Sequence, residues 1–185
     1  NYRFSLKEQN QECFLYLQNQ DTGRMELFYI YEEKGRGASC IVYQAYLCKD
    51  GKMQRPVLLK EFYPIHLSRY LKRDETSHAL CIAEEIREAF EEEKKAFLDM
   101  CQKQNQIYMQ NAKNSADEMV EIQGIYTLGE SFYVLMKAAS GCSWDQMEKE
   151  SLFQMLETTV SVLHELEEFH NIGWLHGDIK PANIY

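Results

Sequence analysis

Apolar and polar residues alternate along much of the first half of the chain, the pattern of half-buried strands. Residues 12–18 (ECFLYLQ) and 26–32 (ELFYIYE) alternate in this way and are rich in aromatics, with Asp21-Thr22-Gly23 as the turn between them. A second pair, 39–47 and 56–60, flanks Lys49-Asp50-Gly51, where Asp-Gly is a strong hairpin signal. Residues 65–82 fit neither period cleanly, and the reading there is a short hairpin around 74–77. From 82 to 103 the period becomes helical. Residues 104–118 are polar, with Asn114-Ser115 in the middle, and read as a loop. Strand-like runs return at 119–127 and 131–138, joined by Leu128-Gly129-Glu130. Helices then take over: a short one near 143–149 and a longer one from 151 to about 171, ended by Gly173. Strands with one intervening helix, followed by helices, give an α+β order in two lobes. The lobes are placed at 1–136, of which 1–26 is a strand-forming N-terminal extension, and at 137–185.

Composition narrows the function classes. The chain has 185 residues, 45% of them hydrophobic, which suits a globular fold with a core of its own. A net charge of −9 argues against an exposed nucleic-acid or anionic-lipid surface, and no Lys/Arg run opposes that reading. No apolar stretch approaches the roughly 18 residues that span a bilayer, and residues 1–20 lack a signal-peptide pattern. The cysteines at 13, 40, 48, 81, 101 and 142 form no CxxC pair and read as reduced thiols of a cytoplasmic protein.

The most informative segment is His176-Gly177-Asp178-Ile179-Lys180-Pro181-Ala182-Asn183, in a loop after the last helix. Its spacing suits phosphoryl transfer: Asp178 to accept a hydroxyl proton, Lys180 to neutralise the moving phosphoryl, and Asn183 to offer a neutral oxygen to Mg²⁺. Gly35-Arg36-Gly37 lies between two strands, where the absence of Cβ atoms lets the backbone approach phosphates. The strand–strand flanks exclude a dinucleotide-binding fingerprint, which needs strand–turn–helix. Val42 stands just past the turn, placed to cover an adenine face. Alternation puts Leu58 and Lys60 on one face of the strand 56–60; on that segment alone, Lys60 reads as a snorkelling surface residue.

The helix changes that weighting. Ile82, Ile86, Phe90, Phe97 and Met100 share one stripe, and Glu93 lies within it, seven residues after Ile86. Glutamates 84, 85, 88, 91 and 92 form a solvated face. A carboxylate on the core side calls for a cation, and Lys60 is the obvious candidate.

The order of glycine turn, strand lysine, helix glutamate and HxDxKPxN loop resembles a eukaryotic-type protein kinase, in the form of the bacterial Ser/Thr kinases, over residues 27–185. The resemblance implies a kinase-like α+β fold: an antiparallel sheet lobe with one regulatory helix, then the hinge, the first helices of an α-helical lobe and the catalytic loop. It implies ATP and Mg²⁺ as cofactors and Ser/Thr hydroxyls of proteins as acceptors. Asp178 would be the catalytic base, Lys180 the phosphoryl stabiliser, Lys60 the α/β-phosphate lysine, Glu93 its partner and Asn183 a Mg²⁺ ligand. Gly35, Gly37, Val42 and Leu58 would line the nucleotide, with Met136 as gatekeeper, Lys137 and Ala138 in the hinge, and Ser143 near the ribose.

The chain departs from that pattern at several points. Cys40 stands at the third glycine, Leu58 at the usual alanine, and Gly177 at the arginine before the catalytic aspartate, which argues against activation by loop phosphorylation. No DFG follows residue 183. The expectation is therefore a natural chain that continues, these 185 residues alone being inactive, or self-association covering the apolar stripe Leu152, Leu156, Val160, Leu163 and Leu166. Two other readings stand beside the kinase. The HGD string also suits a small-molecule phosphotransferase of the aminoglycoside or choline type, against which Lys180-Pro181 counts. The missing DFG and Gly177 suit a non-catalytic pseudokinase or interaction module.

Overall fold

The computed structural model describes residues 13–111, 120–137, 143–147, 151–177 and 179–184. The strands are β1 (Cys13–Asn19), β2 (Met25–Arg36), β3 (Cys40–Lys49), β4 (Lys52–Phe62), β5 (Leu71–Arg73), β6 (Leu80–Ile82), β7 (Ile122–Leu128) and β8 (Ser131–Lys137). The helices are α1 (Arg87–Asn111) and α2 (Leu152–Asn171). Contacts divide the chain into two units, one of residues 1–103 and 121–138, the other of 104–120 and 139–185.

In the first unit, antiparallel strands close into a barrel in the order β1-β2-β3-β4-β8-β7. Closure depends on β1, from the N-terminal extension: it pairs with β2 from Cys13↔Ile30 to Gln18↔Met25 and with β7 at Gln18↔Thr127 and Asn19↔Tyr126. Alternation selects the inward face, with Leu15 and Leu17, Phe28 and Ile30, Ile41 and Tyr43, Val57 and Leu59 all buried. At the β3–β4 hairpin, Asp50 (φ 51°) and Gly51 (φ 70°) both take the left-handed conformation that a two-residue turn of this kind demands. Residues 65–70 form a 3₁₀ turn, and β5 pairs with β6 as the hairpin expected there. Its loop is closed by Asp74, whose Oδ1 accepts hydrogen bonds from the amides of Thr76 (3.1 Å) and Ser77 (2.7 Å).

α1 lays its apolar stripe on the outside of the barrel. Phe62 and Phe132 stack at 5.5 Å, and Phe90 and Phe97 pack on Phe62 at 5.2 and 5.4 Å. Two expectations need correction. The loop read over 104–118 starts later, because α1 runs on to Asn111: Ile107, seven residues after Met100, is buried and continues the stripe through a largely polar stretch. Of the short helix expected near 143–149, the described residues 143–147 form a 3₁₀ turn at Trp144–Gln146, flanked by extended Ser143 and Met147.

In the second unit, Ser151 caps α2 in a reciprocal arrangement with Gln154. Leu152, Leu156, Val160 and Leu163 are exposed, and Phe169 is buried near the helix end. No helix among the described residues is long and apolar enough to cross a membrane.

Candidate active site

Strand register gathers five of the sequence-predicted nucleotide residues onto one face, whereas Lys137 pairs with Val57 and Gly37 lies in the turn. Gly35 lies opposite Val42, Val42 opposite Lys60, Gln44 opposite Leu58, and Leu58 opposite Met136. Directly paired residues share a face, so Val42, Leu58, Lys60 and Met136 form a half-buried, largely apolar surface ending in a cation. The glycine turn at its edge is tight: the Gly37 amide donates to the Cys40 carbonyl at 2.8 Å. A Cβ built on Gly35 would meet nothing within 4 Å, so the strand backbone there lies open. Arg36, between the glycines, is drawn back along β2 by Glu33, to which it is bonded through both Nε and Nη2. The Lys137 amide donates to the Glu121 carbonyl at 3.0 Å, and Ala138 lies outside the described residues.

Lys60 and Glu93 are not paired with each other. The Lys60 ammonium lies 5.0 Å from the centroid of the Phe97 ring, a cation–π contact. Glu93 instead meets His66, with Nε2 to Oε1 at 2.9 Å. Beneath Phe97, burial pushes the Cys101 thiol up to about 11, opposed by the nearby charge of Lys60.

Behind Lys60 stands a buried polar cluster that the motif reading did not single out. Glu61, facing the opposite way from Lys60, is fully buried and bound by the Arg73 guanidinium from β5, with Nη1 to Oε1 at 2.8 Å and Nη2 to Oε2 at 2.6 Å. Tyr43 and Tyr133 hydroxyls donate to the same carboxylate at 3.0 and 2.8 Å. The carboxylate raises the Arg73 pKa despite burial, and burial together with Glu61 pushes the Tyr133 phenol well up. Alternation held one signal of this, since it sets Glu61 on the buried face with Val57 and Leu59.

In the second unit the HGDIKPAN segment is shaped locally. Gly177 has φ +76°, a left-handed conformation that disfavours any side chain, which accounts for glycine where the kinase pattern carries arginine. Lys180 is extended and leads into a 3₁₀ turn at Pro181–Asn183, where proline suits the first helical position. The turn is tied down by the Trp144 amide, which donates to the Ile184 carbonyl at 2.8 Å. The His176 ring meets Phe169 edge-on at 5.6 Å. Lys180 and Asn183 are exposed, Ser143 is buried, and Asp178 lies outside the described residues.

These residues fit a nucleotide better than they define a metal site. The apolar face beside Lys60 and the open backbone at Gly35 suit a purine and its phosphates. Among the described residues no group of three His, Cys, Asp or Glu could hold a metal, and the exposed Asn183 at the end of its 3₁₀ turn is the residue the sequence offers to Mg²⁺.

No protein-family model matches the sequence, and no curated protein does. Among solved structures, PpkA-294 in its apo form superposes at a TM-score of 0.64 with 22% identity, covering 84% of this chain and 53% of its own. The PknI kinase domain of Mycobacterium tuberculosis matches at 0.49 with 16% identity, over 84% and 52%. The chain thus spans about half the length of the solved chains it resembles. What the chain shares with PpkA-294 is the fold: an antiparallel sheet with one long helix, followed in sequence by a second helix.

Proposed function

We propose that the chain carries ATP-binding and catalytic-loop elements of a Ser/Thr protein kinase, which transfers the γ-phosphate of ATP to hydroxyls of proteins. The observation that carries this reading is the register that sets Gly35, Val42, Leu58, Lys60 and Met136 on one face, in a chain that also holds HGDIKPAN. Val42, Leu58 and Met136 bind the purine by apolar contact, with the backbone at Lys137 and Ala138 as its polar neighbours and Ser143 assigned to the ribose. The backbone at Gly35 and Gly37 approaches the phosphates, and the Lys60 ammonium offers them three donors. Asp178 takes the proton of the attacking hydroxyl, and Lys180 balances charge on the moving group. Mg²⁺, held through Asn183, would neutralise charge on the phosphate oxygens. A cytoplasmic setting suits a chain whose cysteines form no CxxC pair.

The test is incubation of the natural-length protein with γ-labelled ATP, Mg²⁺ and generic protein acceptors. Label on Ser or Thr is the expected result. Label on aminoglycosides or choline instead would favour the small-molecule phosphotransferase, and bound ATP without transfer would favour the non-catalytic module.

A further inference from the structure

We propose that Ile65 is a positioning residue: its backbone amide staples the glycine turn to the chain that follows β4, so the turn is set for phosphates before nucleotide arrives. The inference rests on the nucleotide reading of the Lys60 face. It concerns residues 63–65, which lie outside every motif the sequence displays.

The hydrogen bonds around the turn carry it. On one side the turn is held by β2, where Gly35 lies opposite Val42 and Arg36 opposite Ile41. On the other side β3 pairs with β4 as far as Cys40↔Phe62. The lacing goes on past the strand ends. The Tyr63 amide donates to the Ser39 carbonyl and the Ile65 amide to the Ala38 carbonyl, both at 2.9 Å. Pro64, between them, has no N–H to donate, so both amides of this stretch go to the turn. At the tip the Gly37 amide closes on the Cys40 carbonyl, and a Cβ built on Gly37 would lie 3.3 Å from the Cys40 Sγ. The turn cannot lift from residues 63–65 without breaking two backbone hydrogen bonds.

The stretch that holds the turn is itself fixed. Phe62 and Tyr63 are buried, and the Phe62 carbonyl accepts from the Ser131 hydroxyl of β8 at 2.7 Å. The Arg73 guanidinium lies 5.3 Å from the centroid of the Tyr63 ring and is paired with Glu61. Pro64 is extended, at φ −70° and ψ 106°, and the 3₁₀ turn starts at Ile65. The first bond of that turn runs from the Leu67 amide to the Pro64 carbonyl, so the Ile65 amide is left to reach outward. A glycine turn held in this way loses little freedom on meeting phosphates, and such preorganisation raises affinity. Stapling and nucleotide binding are therefore coupled, and the coupling is reciprocal.

The local geometry also supplies a selective variant. Ile65 occupies the first position of its 3₁₀ turn and follows an extended residue, the setting that proline accepts. Ile65→Pro removes the N–H and Ile65→Ala keeps it, while both lose the isoleucine side chain. In the natural-length protein, hydrogen exchange of the Gly37 amide is followed by NMR without nucleotide, and Mg-ATP affinity is measured beside it. Relative to Ile65→Ala, Ile65→Pro is expected to speed Gly37 exchange and to weaken Mg-ATP binding, each by about 3- to 10-fold, the range open to loss of one backbone hydrogen bond. In the parent, Mg-ATP should slow exchange of the Ile65 amide by a similar factor, a measurement that needs no variant to fold. Equal exchange or equal affinity in the two variants overturns the proposal, as does tighter binding by Ile65→Pro. A parent Ile65 amide indifferent to bound Mg-ATP overturns it too. Faster Gly37 exchange in Ile65→Pro, in a folded protein that binds no Mg-ATP, supports the staple and overturns the nucleotide reading.

Discussion

Asp178→Asn should lower the rate of γ-phosphate transfer by about 10²–10⁴-fold while leaving Mg-ATP affinity within a few-fold of the parent. Asparagine keeps the size of the side chain but neither accepts a proton nor carries charge, and loss of a positioned general base is worth about that much. On either side of Asp178, Gly177 is left-handed and Lys180 leads into a 3₁₀ turn tied to Trp144. Initial rates with γ-labelled ATP, beside a direct binding measurement, separate the two effects. Transfer within about threefold of the parent would assign the proton to another group, since so small a change is far below the loss of a base.

Arg73→Met should be the most destabilising of the substitutions considered, by about 3–5 kcal/mol, because it strands the Glu61 carboxylate in the barrel. Glu61 is fully buried and the Arg73 side chain is 3% exposed, so water replaces neither partner. The two tyrosine hydroxyls that remain on Glu61 supply hydrogen bonds but no compensating charge. A loss of this size is a large part of the roughly 5–15 kcal/mol that holds a domain together. Adding Glu61→Gln should restore part of it, since the amide oxygen still accepts from tyrosine without a charge to bury. Urea unfolding of the parent, Arg73→Met and the double variant gives the comparison. A single variant as stable as the parent would show that the pair contributes nothing to the fold.

The strands were legible because the barrel buries one side of each: alternation in β1, β2 and β3 locates them to within a few residues, and Asp50-Gly51 names its own turn. α1 was legible where apolar residues mark its stripe and illegible past Lys103, where Ile107 is the one fully buried apolar residue in a mostly polar stretch of the described helix. The candidate site divides in the same way. Lys180 and Asn183 belong to one short turn whose geometry Pro181 helps set, so their proximity follows from local sequence. The grouping of Gly35, Val42, Leu58 and Met136 with Lys60 follows from register, which hairpin turns and burial specify. The partners of charged groups were not legible. Glu93 announces that it needs a cation, but whether Lys60 or His66 supplies it depends on where residues 65–70 fold, and that segment has no period to read. Arg73 stands in a run of charges that looks solvated, and only the pairing of β5 with β6 carries it to Glu61.

Titration of the folded protein with Mg-ATP, for the parent chain and for Lys60→Ala, tests most directly whether the Lys60 face is a nucleotide site. A hydrogen bond between charged groups is worth about 1.5–3 kcal/mol, so removal of the ammonium should weaken binding by roughly 10- to 100-fold. Equal affinity of the two proteins, or no binding by a folded parent, would contradict the assignment of that face to nucleotide.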